Sequence, residues 1–151
     1  MEIYFEFRDI FKILNTVRVR YLVVGAHAVG YFTEPRYTKD LDIWTAPTPD
    51  NANRVWKALA RFGAPLQGVT EQDFTNPKII YQIGIDPHRI DILTTVGGLD
   101  FAAAWNNRIR SKYEGIKINV LSLNDLIVTK RAAGRPQDLI DLKHLLRKKN
   151  Q

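Results

Sequence analysis

Apolar residues recur every three or four positions over residues 3–17 (Ile3, Phe7, Ile10, Phe11, Leu14, Val17), which predicts an amphipathic opening helix. Tyr21-Leu22-Val23-Val24 is an unbroken, β-rich apolar run stopped by Gly25, the pattern of a buried strand. Residues 26–32 read as a short helix closed by Glu34-Pro35, and Leu41-Asp42-Ile43-Trp44 as the next strand, ended by Pro47 and Pro49. Asp50 is placed to cap a helix over 51–62, with Val55, Trp56, Leu59 and Phe62 on one face and Gly63 as its stop. Residues 64–77 carry no period and predict a loop. Strands follow over 78–83 and 89–93, joined around Asp86-Pro87, then a helix over 99–107 and an alternating strand over 116–120. Ser122 and Asp125 open a helix over 123–133 that Gly134 ends, and Pro136 suits the first turn of a last helix running to about residue 147. The expected fold class is α/β (α+β): a mixed β-sheet with flanking helices. No repeat or linker breaks the pattern, so residues 1–151 are expected to form one domain.

Composition narrows the chemistry. With 45% hydrophobic and 25% charged residues, 151 residues suffice for a packed core without staples. Cysteine is absent, which removes disulfides, thiol nucleophiles and thiolate metal sites, and His27, His88 and His144 lack zinc-ligand spacing. No apolar run reaches the ~20 residues of a membrane span, and the N-terminus has no secretory pattern, so a cytoplasmic protein without membrane partners is expected.

Charge is uneven. Residues 1–100 hold 11 Lys and Arg against 12 Asp and Glu, whereas residues 101–151 hold 11 against 4, so the net charge of +6 arises in the last third. A basic flank on a near-neutral body suits a polyanion such as RNA, DNA or a nucleotide, although a solvated helix face gives the same count.

The most informative stretch is Thr38-Lys39-Asp40-Leu41-Asp42-Ile43-Trp44. On a strand, Asp40 and Asp42 leave from one face while Leu41 and Ile43 enter the core. Two acids on one face repel each other unless a cation neutralises them, and oxygen-only ligands suit Mg²⁺ or Mn²⁺. Asp91 has the same apolar neighbours in Arg89-Ile90-Asp91-Ile92-Leu93. If its strand runs beside the first, three carboxylates converge, enough for two divalent ions ~3.5–4 Å apart, as in in-line phosphoryl or nucleotidyl displacement. The plain alternative is a strand end whose acids are solvated or pair with Arg36, Lys39 or Arg89. The strand–Gly–helix unit upstream adds a helix N-terminus that can receive phosphate. The three tryptophans are assigned to the core, although Trp44 adjoins the acids.

Val24-Gly25-Ala26, then thirteen residues, then Asp40-Leu41-Asp42-Ile43, resembles the signature of the DNA-polymerase-β-like nucleotidyltransferase superfamily, with Asp91 matching its third acid. The stretch from Leu126 through Lys130, Arg135 and Asp138 to Leu139 is similar to the Lys…Arg…Asp motifs of the AbiEii/MenT-like branch, nucleotidyltransferase toxins of toxin–antitoxin systems. The resemblance covers about residues 20–145 and implies a minimal polymerase-β-like fold. It departs at Ala26, where Ser or Gly is usual; the Ser hydroxyl that can help hold a phosphate is missing.

What the resemblance implies is as follows. Asp40, Asp42 and Asp91 would be the catalytic and metal-binding residues, holding two Mg²⁺ (or Mn²⁺) ions, with Asp91 helping to deprotonate the acceptor hydroxyl. Gly25, Ala26 and His27 (through backbone N–H groups and the imidazole), with Arg36, Lys130, Arg135 and Asp138, would bind the nucleoside triphosphate, ATP among the choices. The acceptor would be RNA such as tRNA, and an antitoxin or second subunit a partner.

Other classes fit less well. The Gly25–Gly30 stretch lacks dinucleotide spacing and there is no G-K-[ST] phosphate loop. Two rivals stay open: a catalytically silent RNA- or protein-binding module on the same fold, and an antibiotic-type transferase acting on a small molecule.

Overall fold

The computed structural model describes residues 5–34, 40–84 and 88–151. Helix α1 (Phe5–Val17) buries Phe7, Ile10, Phe11 and Leu14, the stripe expected from its apolar period. The fully buried strand β1 (Tyr21–Val24) runs straight into α2 (Gly25–Phe32). Then come β2 (Asp40–Thr45), α3 (Pro49–Phe62), a 3₁₀ turn (Glu71–Thr75), β3 (Ile80–Ile83) and β4 (Arg89–Leu93). The chain closes with α4 (Phe101–Asn106), β5 (Ile109–Tyr113), β6 (Ile116–Val120), α5 (Leu123–Ala133) and α6 (Pro136–Lys149).

The strands form one mixed six-stranded sheet in the order β3-β4-β2-β1-β6-β5. Neighbours β1/β6 and β2/β4 are parallel, and β1/β2, β3/β4 and β5/β6 are antiparallel. Side-chain alternation gives this sheet two distinct faces. Val23, Leu41, Ile43, Ile90 and Ile92 point to the face covered by α1 and α3, where Phe11, Val23 and Leu41 line one cavity. Leu22, Val24, Asp42, Trp44 and Leu93 point to the other face, where α4 and α5 pack. Trp44 belongs to the core there: it is 1% exposed, its Nε1 donates to the Thr94 carbonyl (3.1 Å), and its ring stands edge-on to Phe101 at 5.0 Å. Truncating such a fully buried aromatic costs about 3–5 kcal/mol.

Several boundaries differ from expectation for local reasons. Thr48, not Asp50, caps α3, its Oγ1 accepting from the Asn51 N–H, with Pro49 in the first turn. Asn51 is buried and joins the start of β1 to the end of β2: its Oδ1 accepts from Arg20 N at 2.8 Å and its Nδ2 donates to the Ala46 carbonyl at 2.9 Å. The expected loop over 64–77 contains the 3₁₀ turn, pinned by buried Phe74. Strand β5 was not expected, because Ser111 occupies an inward position between Ile109 and Tyr113 and hides the alternation. It joins β6 through Glu114 (φ 47°) and Gly115 (φ 82°), a two-residue hairpin turn with both residues at positive φ. The expected strand over 78–83 begins at Ile80, and the helix over 99–107 shortens to 101–106 behind its cap, Asp100. The Asp86-Pro87 junction lies outside the described residues.

Candidate active site

The parallel ladder between β2 and β4 sets Asp42 opposite Asp91 and Asp40 opposite Arg89. By alternation all four side chains leave one face of the sheet. Arg89 lies among the acids: its Nε donates to Asp91 Oδ1 (2.8 Å), and its Nη2 reaches Asp91 Oδ2 and Asp40 Oδ2 (each 3.2 Å). Asp91 is buried, Asp40 and Asp42 half-buried. Burial, and then the neighbouring Asp91 and Asp40, push the Asp42 carboxyl up to about 6, with the Arg89 guanidinium opposing them. Among the described residues no three acidic or imidazole side chains form a ready-made metal cage; the guanidinium supplies the positive charge at the acids.

Gly25 faces this group because β1 pairs with β2 so that Val24 lies opposite Asp42. Its φ of +67° favours glycine. A Cβ there would also collide with Asp42 Oδ2 and stand 3.2 Å from its Cγ. The following helix, α2, has no side-chain cap, which leaves its first-turn N–H groups available to a ligand oxygen.

Helices α5 and α6 supply the opposing wall. Gly134, at φ +64°, ends α5 and lets the chain turn into α6. Lys130 Nζ then lies 3.1 Å from both Asp138 Oδ1 and Asp141 Oδ2, with both carboxylates almost fully buried. Arg135 Nε donates to Asp138 Oδ2 at 2.6 Å and the Arg135 backbone N–H to the same oxygen at 3.2 Å. The Arg135 hydrogen bond, aided by Lys130 and opposed by burial, holds the Asp138 carboxyl down at about 2. Gly25, Asp42, Lys130, Arg135 and Asp138 all line one cleft of about 320 Å³, with Val24, Leu93 and Val96 as its apolar floor.

Ala26 and His27 are not brought to this cleft. They line a separate cavity of about 240 Å³ with Phe11 and Tyr31, on the α1 side of the sheet. Each residue of a helix turns about 100°, so side chains following Gly25 swing away from Asp42. The His27 ring stands edge-on to Phe7 at 5.4 Å, its buried Nε2 makes no hydrogen bond, and burial lowers its pKa to about 4. The imidazole thus faces apolar neighbours rather than the cleft. Arg36 lies outside the described residues. Asp40 and Asp91 flank Asp42 without lining the cleft. Arg89 and Asp141 are the residues that the motif reading underrated. Arg89 carried a signal, since it shares a strand face with Asp91; Asp141 lies one helical turn beyond Asp138 but pairs with a residue of another helix.

No curated protein sequence matches the chain. The lincosamide antibiotic adenylyltransferase LnuA, in its lincomycin-bound form, has a similar fold, with a TM-score of 0.59, 16% identity, and coverage of 93% of this chain and 94% of its own. A Thermotoga maritima protein assigned as a nucleotidyltransferase gives a TM-score of 0.60 at 18% identity, covering 94% of this chain and 91% of its own. At such identities the likeness shows a shared fold. The family described as "Nucleotidyltransferase of unknown function (DUF6036)" matches residues 2–148. The chain belongs to this nucleotidyltransferase family, and the protein is an enzyme of the nucleotidyl-transfer class.

Proposed function

We propose that this protein transfers a nucleoside monophosphate from a nucleoside triphosphate to an acceptor hydroxyl, using Asp40, Asp42 and Asp91. The observation that carries the reading is the ladder register, which sets Asp42 beside Asp91 with Asp40 on the same face. The residues fit a divalent cation: the donors are all oxygen, and the Asp42 carboxyl is raised by burial and then by two neighbouring acids whose repulsion a cation relieves. Asp40, Asp42 and Asp91 would hold Mg²⁺ or Mn²⁺, in competition with Arg89 for the same oxygens. When bound, such ions supply charge neutralisation at the transferred phosphoryl group.

The chain's own residues account for the rest. The apolar floor and the N-terminus of α2 position the nucleotide, and Lys130 and Arg135 attract its phosphates. The acceptor oxygen attacks the α-phosphorus, the bond to the β-phosphate oxygen breaks, pyrophosphate leaves, and the hydroxyl proton passes to Asp91. The Lys130–Arg135–Asp138 assembly supports the AbiEii/MenT-like branch, and with it an RNA acceptor and a toxin role held in check by an antitoxin. A second reading takes a small hydroxylated molecule as acceptor, supported by the fold shared over most of both chains with LnuA.

The test supplies each α-labelled nucleoside triphosphate with Mg²⁺ or Mn²⁺ to wild type and Asp42→Ala, with total RNA, protein and lincomycin as acceptors. Label on RNA with wild type alone supports the first reading, and label on lincomycin the second. No label on any acceptor overturns both.

A further inference from the structure

A larger groove of about 930 Å³ lies at the end of the sheet opposite Gly25, where β1 begins. Among the described residues its charged lining is entirely basic: Arg18, Arg20, Arg54, Arg110, Lys112 and Lys117. All six are exposed, and among the described residues none forms an ion pair. They come from α1's end, β1's approach, α3, β5 and β6, so the fold gathers them from segments distant in sequence. Lys112 stands directly opposite Lys117 in the antiparallel β5/β6 ladder. Like charges directly opposite destabilise a hairpin, and an anion between them removes the penalty.

Trp105 lines the groove and carries the Arg108 guanidinium 3.8 Å from its ring centroid. Arg108 also donates to Asn119 Oδ1 (3.3 Å) and the Trp105 carbonyl (2.9 Å), so a flat cation is fixed at the groove's edge. Burial, and then Arg110 and Arg20, lower the Arg108 pKa, as a concentrated positive potential requires. The adjoining hollow of about 770 Å³ shares Arg20, Arg54 and Trp105 and reaches Asp50 and Asp100, where the basic track ends. The buried core of a protein interface is typically depleted of charge, lysine above all. This groove offers polar Asn15, Ser111 and Asn119 between its cations instead.

We propose that this groove binds the phosphodiester backbone of a nucleic-acid strand, with Arg18, Arg20, Arg54, Arg110, Lys112 and Lys117 on the phosphates and the Arg108–Trp105 stack beside a base. The site goes beyond nucleotidyl transfer, because it lies at the other end of the strands and requires no triphosphate. RNA and DNA share the backbone chemistry, and the experiment separates them.

The test is fluorescence anisotropy of labelled 20-nucleotide single strands, RNA and DNA of one sequence, with the full chain and no triphosphate. Leaving out the triphosphate means that failure here does not bear on transfer at the carboxylates. Binding is expected at 50 mM salt and should weaken about 10²–10³-fold by 200 mM, as six phosphate contacts imply. The Lys112→Gln/Lys117→Gln variant should bind at least about tenfold more weakly, with a salt slope shallower by about 1.4. Its thermal midpoint should stay equal or rise, since a repulsion is lost. Tighter RNA than DNA binding assigns the site to RNA, and equal binding assigns it to the backbone alone. No binding by either strand at 50 mM salt, full binding by the variant, or tighter binding of a poly-glutamate peptide than of both strands overturns the proposal.

Discussion

Asp42 lies directly opposite Asp91 in the parallel β2/β4 ladder, so folding holds two carboxylates side by side. This juxtaposition works against stability. An acid whose folded pKa stands at about 6, above its unfolded value of 3.8, favours the fold only while protonated, and that contribution is lost as pH rises from about 4 to 6. The cost at neutral pH is about 3 kcal/mol. Asp42→Asn should therefore abolish transfer while raising the thermal midpoint at pH 7.5 by several degrees. Thermal unfolding checks this, and a lowered midpoint contradicts it.

His27 acts in the opposite sense. Its pKa falls from 6.5 to about 4 on folding, so the unfolded chain binds more protons between those values and stability drops as pH falls through that window. The loss is about 3 kcal/mol. In wild type the Asp42 and His27 trends offset each other between pH 4 and 6. Asp42→Asn should uncover a steeper acid-side loss and His27→Gln the opposite trend, stability rising as pH falls, as read by urea unfolding at pH 4.5, 5.5 and 6.5. Nucleotide affinity should be unmoved by His27→Gln, because the ring does not line the cleft.

Gly25→Ala tests the contact between the glycine turn and Asp42. Its positive φ and the clash with Asp42 Oδ2 should lower stability by about 1–3 kcal/mol. Displacement of the carboxylate should cut turnover about 10²-fold. Retained turnover in a folded Gly25→Ala protein would show that Asp42 needs no fixed position.

Lys130 bridges two buried carboxylates with one positive charge, so removing it takes that cation from both Asp138 and Asp141. Lys130→Met should destabilise by about 3 kcal/mol, and adding Asp141→Asn should recover part of that loss. Chemical unfolding of the single and double variants measures the coupling, and simple additivity would contradict the pairing.

The sequence carried the strands with the acids because alternation fixes which side chains share a face, and Asp40, Leu41, Asp42 and Ile43 alternate without interruption. The neighbourhood of β2 and β4 was legible only as a condition, since strand order depends on packing that no local pattern encodes. The facing of His27 was hidden for a similar reason: α2 begins at Gly25 with no intervening loop, and its rotation about β1 is a tertiary property. Charge asymmetry pointed to a basic surface in the last third of the chain. Three of the six groove cations, Arg18, Arg20 and Arg54, nevertheless come from earlier segments whose net charge is near zero, and only folding collects them.

The most direct test of the carboxylate site is pyrophosphate release from a nucleoside triphosphate mixture with acceptor present, measured across a Mg²⁺ titration for wild type and Asp42→Asn. The expected result is release that rises with Mg²⁺, stops when the ion is chelated, and falls at least about 10²-fold in the variant. Equal release from both proteins, or release indifferent to Mg²⁺ and to chelation, would contradict the assignment of Asp40, Asp42 and Asp91 as the reacting centre.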